Sequence, residues 1–452
     1  MELMVPTDSL YLIAESREHP LHVGGLSLFK PPEGAGPEFA RNFTGALIAD
    51  EPIQPTFRKR PARIVPGLDI LAWTYDDEID PNYHVQRVAL PSPGRVRDLL
   101  ELTAKLHSTL LDRRRPLWDA YVIEGLNDGR FGVFIRVHHS LIDGAAGAKL
   151  LERAYSVDPS ETEVRAMWTV PQLESPPTDR SSVVGSLTKL AGSVAGLPSS
   201  TLKLARGALV EQQLTLPFTA PRTMFNVKIG DARRFAAQSW SLERVLRIKK
   251  AAGVSFNDAV LAMCAGALRY YLLEQEALPD TPLIALVPVS LRPSADDGSS
   301  GNKVGAILCN LATDIDDPAQ RIEIIAAAMR GNKKVLAELP RAQVVALSAM
   351  SIVPLGLGDV PGFVSTTPPP FNLVISNVPG PVEQMYSGGA RLDGSYPLSH
   401  LTNGQALNIT FINRAGHLDF GLLACRRSVP HLSRLLEHLE SSLKDLERAL
   451  GV

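Results

Sequence analysis

A chain of 452 residues, 45% hydrophobic and 21% charged, has the make-up of a globular protein and exceeds one ordinary core, which suits two domains of roughly 200 residues each. Lys and Arg number 46 against 48 Asp and Glu, a balance that excludes any general pull toward nucleic acid. The three cysteines, Cys264, Cys309 and Cys425, form no CxxC pair and no disulfide framework, which points to a reducing, intracellular setting.

The first residues, MELMVPTDSLYLIAE, carry acidic side chains where a secretory leader would be basic, so export by that route is not expected. Two basic runs follow, RKRPAR from Arg58 and RRR from Arg113. Solvated surface is their ordinary reading; a patch for phosphates or an anionic membrane face is the sharper one. WDAYVIEGL and RFGVFIRVHH read as strands separated by NDG, which predicts a hairpin whose second strand closes on two histidines. After LIDG the segment AAGAKLLERAYSV has helical composition, placing Asp143 and Gly144 at a strand-to-helix corner.

Pro and Ser accumulate in TVPQLESPPTDRSS, residues 169–182, so the predicted organisation is a first domain over 1–170, a linker over 171–220 and a second domain over 221–452. From Ser181 to about residue 210 small and apolar residues mix with scattered lysines, which suits either a packed or mobile linker or a helix lying in a membrane interface. Neither this segment nor VVALSAMSIVPLGLG from Val344 reaches the ~18 uninterrupted apolar residues of a spanning helix. In the second domain SLERVLRIKKAAG predicts a helix ending in glycine, and VSFNDAVLAMCAGALRYYLLEQE a second helix in which Ser255 and Asp258 resemble a capping box. LIALVPVSLRP, KVGAILCNLATD, FNLVISNVPGP and QALNITFINRAGHLDFGLLA read as strands. Leu432, Leu435, Leu436, Leu439, Leu443 and Leu446 mark a C-terminal amphipathic helix. The fold class is mixed α/β (α+β).

Three chemistries compete for RVHHSLIDGAAG. A metal site would draw on His138, His139 and Asp143, but adjacent strand residues point to opposite faces, and no HExxH, CxxC or second cluster completes a coordination sphere. A structural corner would have His139 bonded to its own turn and Asp143 capping the helix. A catalytic element would project one nitrogen of His139 into a cleft to take a proton from a hydroxyl, the other nitrogen being held by a partner that fixes the tautomer. Asp143 would then steady the corner through an ion pair with an arginine. No GxSxG elbow or Cys/His signature supplies an enzyme nucleophile, so the substrate hydroxyl would attack directly.

His138 to Gly144 form HHxxxDG, and with this motif the chain resembles the bacterial wax ester synthase/acyl-CoA:diacylglycerol acyltransferases. These belong to the CoA-dependent acyltransferase superfamily, with chloramphenicol acetyltransferase and the condensation domains of nonribosomal peptide synthetases. DSLYLIAES, HPLHVGGL, RRPLWDAYVIEGL, FNDAVLAMCAGALRYYL, VPVSLRP with GNKVGAILCNLATD, FNLVISNVPGP and YPLSHLTNGQALNIT carry the resemblance over nearly the whole chain.

The resemblance implies two chloramphenicol-acetyltransferase-like domains with the active-site tunnel between them. It implies His139 as general base, beside His138, and Asn257 of the Asn257–Asp258 pair as a donor to substrate or oxyanion. It also implies Arg292 as the partner of Asp143. Pro116, Leu117 and Trp118 match a PLW element that would pack and shape the acyl pocket, and Gly144 would allow tight backbone approach at the corner. Ser376, Asn377, Gln405 and Asn408 would line the tunnel or satisfy strand ends. The expected partners are long-chain acyl-CoA as co-substrate and diacylglycerol or a fatty alcohol as acceptor, with no separate cofactor and no metal. The expected location is cytoplasmic, peripheral to the inner face of the membrane or to lipid inclusions. A carrier-dependent acyltransferase and a noncatalytic lipid-binding protein of the same fold are the alternatives.

Overall fold

The computed structural model describes residues 2–4, 6–49, 52–63, 71–171, 215–290, 304–338, 358 and 360–452. Nearly all of the predicted linker, the 181–210 segment, Arg292 and nearly all of the apolar stretch from Val344 lie outside the described residues.

The first half contains β1 (Glu2–Leu3), α1 (Pro6–Ala14), β2 (His22–Lys30), α2 (Phe39–Ile48), β3 (Lys59–Arg63) and β4 (Leu71–Tyr75). It continues with the single turn α3 (Pro81–His84), β5 (Val85–Ala89), α4 (Val96–His107), β6 (Trp118–Glu124), β7 (Phe131–His138) and α5 (Gly144–Ala154). The second half contains β8 (Arg233–Ser241), α6 (Leu242–Ala252), α7 (Phe256–Glu274), β9 (Ile284–Ser290), β10 (Val304–Asn310) and α8 (Pro318–Glu338). Then come the short α9 (Phe363–Thr366), β11 (Leu373–Pro379), β12 (Tyr386–Ser387), β13 (Ala390–Leu398), β14 (Leu407–Arg414), β15 (His417–Cys425) and α10 (Arg434–Leu450).

Local chemistry accounts for these elements. β6 and β7 are apolar runs buried on both faces and pair antiparallel across a turn in which Gly129 adopts φ +79°. α6 ends where Gly253 takes the left-handed conformation, and α7 starts at a capping box in which Ser255 and Asp258 exchange backbone bonds. α7 is apolar on every side and is accordingly buried nearly throughout, packed by α10, α8 and α6. Among the described residues no single helix is long and apolar enough to cross a membrane. α6 and α7 together meet that criterion only as a pair bent by 104°.

Two six-stranded sheets dominate, ordered β12-β13-β2-β7-β6-β5 and β10-β9-β11-β14-β15-β8, beside a small sheet β1-β4-β3. The sheets do not respect a boundary at the linker. β12 and β13 come from the second half yet complete the first sheet, with Leu398 opposite Gly24 and Arg391 opposite Lys30. β13 is also clamped to the second sheet. Arg414 and Asp419 form a fully buried ion pair (2.9 Å); Arg414 donates to the carbonyls of Leu392 and Asp393, and Asp419 accepts from the Ser395 N–H. Gly421 of β15 lies against the Pro397 carbonyl, so close that an added Cβ would sit 1.9 Å from its oxygen. One apolar core accordingly spans both halves, joining Leu26, Tyr121 and Phe134 to Phe235, Leu407 and Leu439.

Candidate active site

β7 delivers the motif and stops at His138, where the Leu141 N–H donates back to the His138 carbonyl at 2.9 Å and turns the chain. The His139 N–H donates to the Leu21 carbonyl at 3.0 Å, tying the corner to the segment ahead of β2. Asp143 is the N-cap of α5 and accepts from the Ala146 N–H at 2.8 Å.

The two histidines diverge. His138 is sealed in the interior: its Nδ1 accepts from the Ser140 N–H (3.2 Å) and lies 2.6 Å from the Ser140 hydroxyl, while Nε2 faces Glu15. Burial pushes the Glu15 carboxyl up, but His138, the Leu21 N–H and Arg113 outweigh it and leave the group below its ordinary range. His139, half-buried, turns the other way. Its ring lies parallel to Tyr11 (centroids 4.5 Å, 9° between planes) and perpendicular to His400 (5.4 Å, 86°).

The backbone carbonyl of His139 favours the protonated ring, opposing the effect of burial. Burial lowers the His139 pKa, with repulsion from His138 adding, against the opposing pull of that carbonyl and of Asp143. His400 is pushed down to about 3 by burial and by the surrounding imidazoles, His139 first among them. Burial, then Asp143 and Asp8, raise the Tyr11 phenol, so it stays neutral.

α5 packs against β11 of the second sheet, placing the motif on one side of a seam between the sheets. Asn377 on β11 donates from Nδ2 to Oδ1 of Asn257 at 2.8 Å, and Asn257 lies in the first turn of α7. This bond leaves the amide nitrogen of Asn257 as a donor. Asp258 is buried in the capping box rather than exposed in the seam. Ser376, next to Asn377 on β11, is half-buried opposite Thr410; Asn408 is buried and accepts from the Thr410 hydroxyl, and Gln405 is buried in the bridge that leads into β14.

Pro116 and Leu117 are buried. Trp118 sits in the first-domain core, stacked between His84 (4.4 Å) and Trp168 (4.6 Å), with its indole N–H on the Phe57 carbonyl. The expectation for Gly144 requires correction. Its φ is not in the left-handed region, and a Cβ there would meet nothing within 4 Å, so no close backbone approach explains this glycine.

Tyr11, Glu15 and His400 were not singled out from the sequence. They lie within DSLYLIAES and YPLSHLTNGQALNIT, but no spacing marks them, because opposite ends of the chain bring them to the motif. Arg136 was also missed: it is buried on the motif strand, in a two-pronged pair with Asp119 (2.7 Å on each prong), and donates to the Leu106 and Thr109 carbonyls at the end of α4. Among the described residues no group of three or more His, Cys, Asp or Glu side chains is placed to hold a metal ion.

The family model "Wax ester synthase/diacylglycerol acyltransferase catalytic domain" matches residues 4–260, and its companion C-terminal domain matches residues 300–447. The chain belongs to the wax ester synthase/diacylglycerol acyltransferase family. A Mycobacterium tuberculosis protein described as "Probable diacyglycerol O-acyltransferase" is 66% identical over 100% of both chains. The Acinetobacter baylyi "O-acyltransferase WSD" is 38% identical, covering 100% of this chain and 98% of that protein. Among solved structures, the wax ester synthase/diacylglycerol acyltransferase from Marinobacter aquaeolei VT8 superposes with a TM-score of 0.79 at 36% identity, covering 100% of both chains. The first condensation domain of the CDA synthetase shares the fold alone, with a TM-score of 0.57 at 15% identity over 99% of this chain and 96% of that one. The two-domain acyltransferase fold implied by HHxxxDG is thus the fold of this member of the family.

Proposed function

We propose that this protein transfers a long-chain acyl group from acyl-CoA to the hydroxyl of diacylglycerol, yielding triacylglycerol and free CoA, and that fatty alcohols serve as alternative acceptors yielding wax esters. Family membership supports the substrate class, and the arrangement of His139 is the observation that carries the mechanism. An imidazole whose pKa is lowered by burial, stacked on Tyr11 and edged by His400, is neutral at pH 7 and suited to accept a proton. It takes that proton as the acceptor oxygen attacks the thioester carbonyl. When the tetrahedral intermediate collapses, the C–S bond breaks and the imidazolium returns the proton to the departing thiolate. No acyl-enzyme forms. The thioester is already an activated acyl donor, so the reaction needs no further cofactor.

The carbonyl oxygen gains negative charge during the attack, and one well-placed donor to it is typically worth about 10²- to 10³-fold in rate. The amide nitrogen of Asn257, left free by the bond from Asn377, takes this role. Asp143 caps α5 and so steadies the corner. Diacylglycerol is insoluble in water, so the acceptor is drawn from a membrane or lipid inclusion that the protein contacts peripherally, on the cytoplasmic side.

The test incubates purified protein with labelled palmitoyl-CoA and either dipalmitoylglycerol or hexadecanol, following neutral lipid and free CoA beside His139→Ala. Product that depends on His139 is the expected result and identifies the preferred acceptor. Folded protein that binds palmitoyl-CoA but makes no product with either acceptor overturns the reading in favour of a carrier-dependent transferase or a lipid-binding protein.

A further inference from the structure

Three rings meet at the corner: His139 from the end of β7, Tyr11 from α1, and His400 from the segment after β13. We propose that Tyr11 and His400 are positioning residues that lock the His139 imidazole in its proton-accepting orientation and stabilise it once it is charged. The proposal rests on the assignment of His139 as general base.

Two contacts at right angles restrict the His139 ring. Rotation about its Cβ–Cγ bond would drive an edge into the parallel face of Tyr11, and the perpendicular His400 closes a second direction. The ring plane is therefore held, and each of its nitrogens keeps one aim. The face of the Tyr11 ring, 4.5 Å from the imidazole centroid, is also within the ~6 Å over which an aromatic face attracts a cation. That attraction arises only when His139 takes the proton, which is where a rate effect needs it.

His400 suits its place because it does not compete for the proton. A cationic neighbour would oppose the imidazolium; a neutral ring edge does not. Its backbone is anchored through Ser399, whose carbonyl accepts from Nε2 of His107 at 2.8 Å, while His107's own carbonyl bonds Nε2 of His22 at 2.9 Å. The Nδ1 of His400 is buried without a hydrogen-bond partner. An apolar side chain would avoid that cost, so packing alone does not account for an imidazole here.

The test compares steady-state kinetics of Tyr11→Phe, Tyr11→Leu, His400→Leu and His139→Ala, each shown to be folded by thermal unfolding. Tyr11→Leu is expected to lower kcat by about 10- to 100-fold, the scale of a misaligned reacting group, with KM for palmitoyl-CoA nearly unchanged. Tyr11→Phe keeps the ring face and is expected to recover most of kcat. His400→Leu should fall in kcat in the same manner, and it carries the test if Tyr11→Leu does not fold. Unchanged kcat in both leucine variants, equal loss in Tyr11→Phe and Tyr11→Leu, or an effect confined to KM overturns the proposal. Full activity in His139→Ala would instead remove the assignment of the base on which it rests.

Discussion

Nε2 of His138 lies 3.4 Å from a carboxylate oxygen of Glu15, and both side chains are closed off from solvent. The contact is a long one, and it helps to hold the Glu15 carboxyl below its ordinary range. Glu15 also accepts from the Leu21 N–H at 3.0 Å and from Arg113 at 3.0 Å, tying α1 to the motif. Removing Glu15 leaves the Leu21 N–H and the buried Nε2 of His138 without it, while Arg113, partly exposed, keeps its bond to the Leu12 carbonyl. Glu15→Ala should cost about 1–3 kcal/mol at pH 7, read as a lowered denaturant midpoint. Because the folded carboxyl titrates below its ordinary 4.5, its stabilisation is present above that value and lost as pH falls through the folded pKa. The gap between wild type and variant should therefore narrow in acid; a gap independent of pH would contradict the pairing.

Catalysis should survive into mild acid. The proposed mechanism uses His139 as the neutral base, and burial holds its pKa below the ordinary 6.5, so the neutral form persists at lower pH than in a free imidazole. The profile of kcat/KM is expected to be flat above 6.5 and to fall through a midpoint beneath it. A midpoint above 6.5 would show that His139 is not the titrating group, or not a desolvated one.

His107 makes a separate, thermodynamic prediction. Burial pushes it down to about 3, with Arg136 and Arg233 adding to the shift against the Ser399 carbonyl. The native state therefore refuses a proton that the unfolded chain accepts below 6.5. Stability is undiminished above 6.5 and falls below it, reaching a loss of about 2 kcal/mol from this group at pH 5. His107→Gln should be weaker at pH 7, through the altered bond to Ser399, but should lose less between pH 7 and pH 5 than wild type. Equal losses in urea midpoint would refute the attribution.

Asp143 has a cap to keep and a charge to contribute, and two substitutions separate them. Asp143→Ala should cost about 1 kcal/mol through loss of the bond from the Ala146 N–H. Asp143→Asn retains a capping oxygen and should restore most of that stability while leaving turnover low. Full turnover in the asparagine variant would assign Asp143 to the cap alone.

Glycines 421 and 144 should behave oppositely. A Cβ at Gly421 would collide with the Pro397 backbone where β13 and β15 meet, so Gly421→Ala should cost about 1–3 kcal/mol by prising the sheets apart. Gly144, for all its place in the motif, has open space and ordinary φ, and Gly144→Ala should raise stability by up to about 1 kcal/mol. Thermal melts of the pair check both signs.

What the sequence revealed was what short range determines. The NDG turn, the capping box at Ser255 and Asp258, the glycine stop after α6 and the leucine stripe of α10 each follow from neighbours within one turn or hairpin, and all are present. The divergence of His138 and His139 followed equally from strand geometry. Long-range encounters were illegible: nothing in YPLSHL says that its strand crosses back to pair with β2, or that its histidine ends against His139. The Gly144 expectation failed for a related reason, since a glycine in a motif shows neither its φ nor its surroundings.

The return of β13 to the first sheet also bears on how the enzyme comes into being. On the ribosome the motif strand emerges early, but its sheet stays incomplete, and His139 lacks its second ring neighbour, until the chain has been extended as far as His400. At about 5–20 residues per second, tens of seconds separate the two events. Throughout that interval the nascent chain holds His139 without the ring that completes its surroundings. A truncated product ending in the linker would be left with an unpaired β2 edge, a template for aggregation rather than a half-active enzyme. Activity in this fold therefore belongs to the finished polypeptide and cannot be apportioned between its halves.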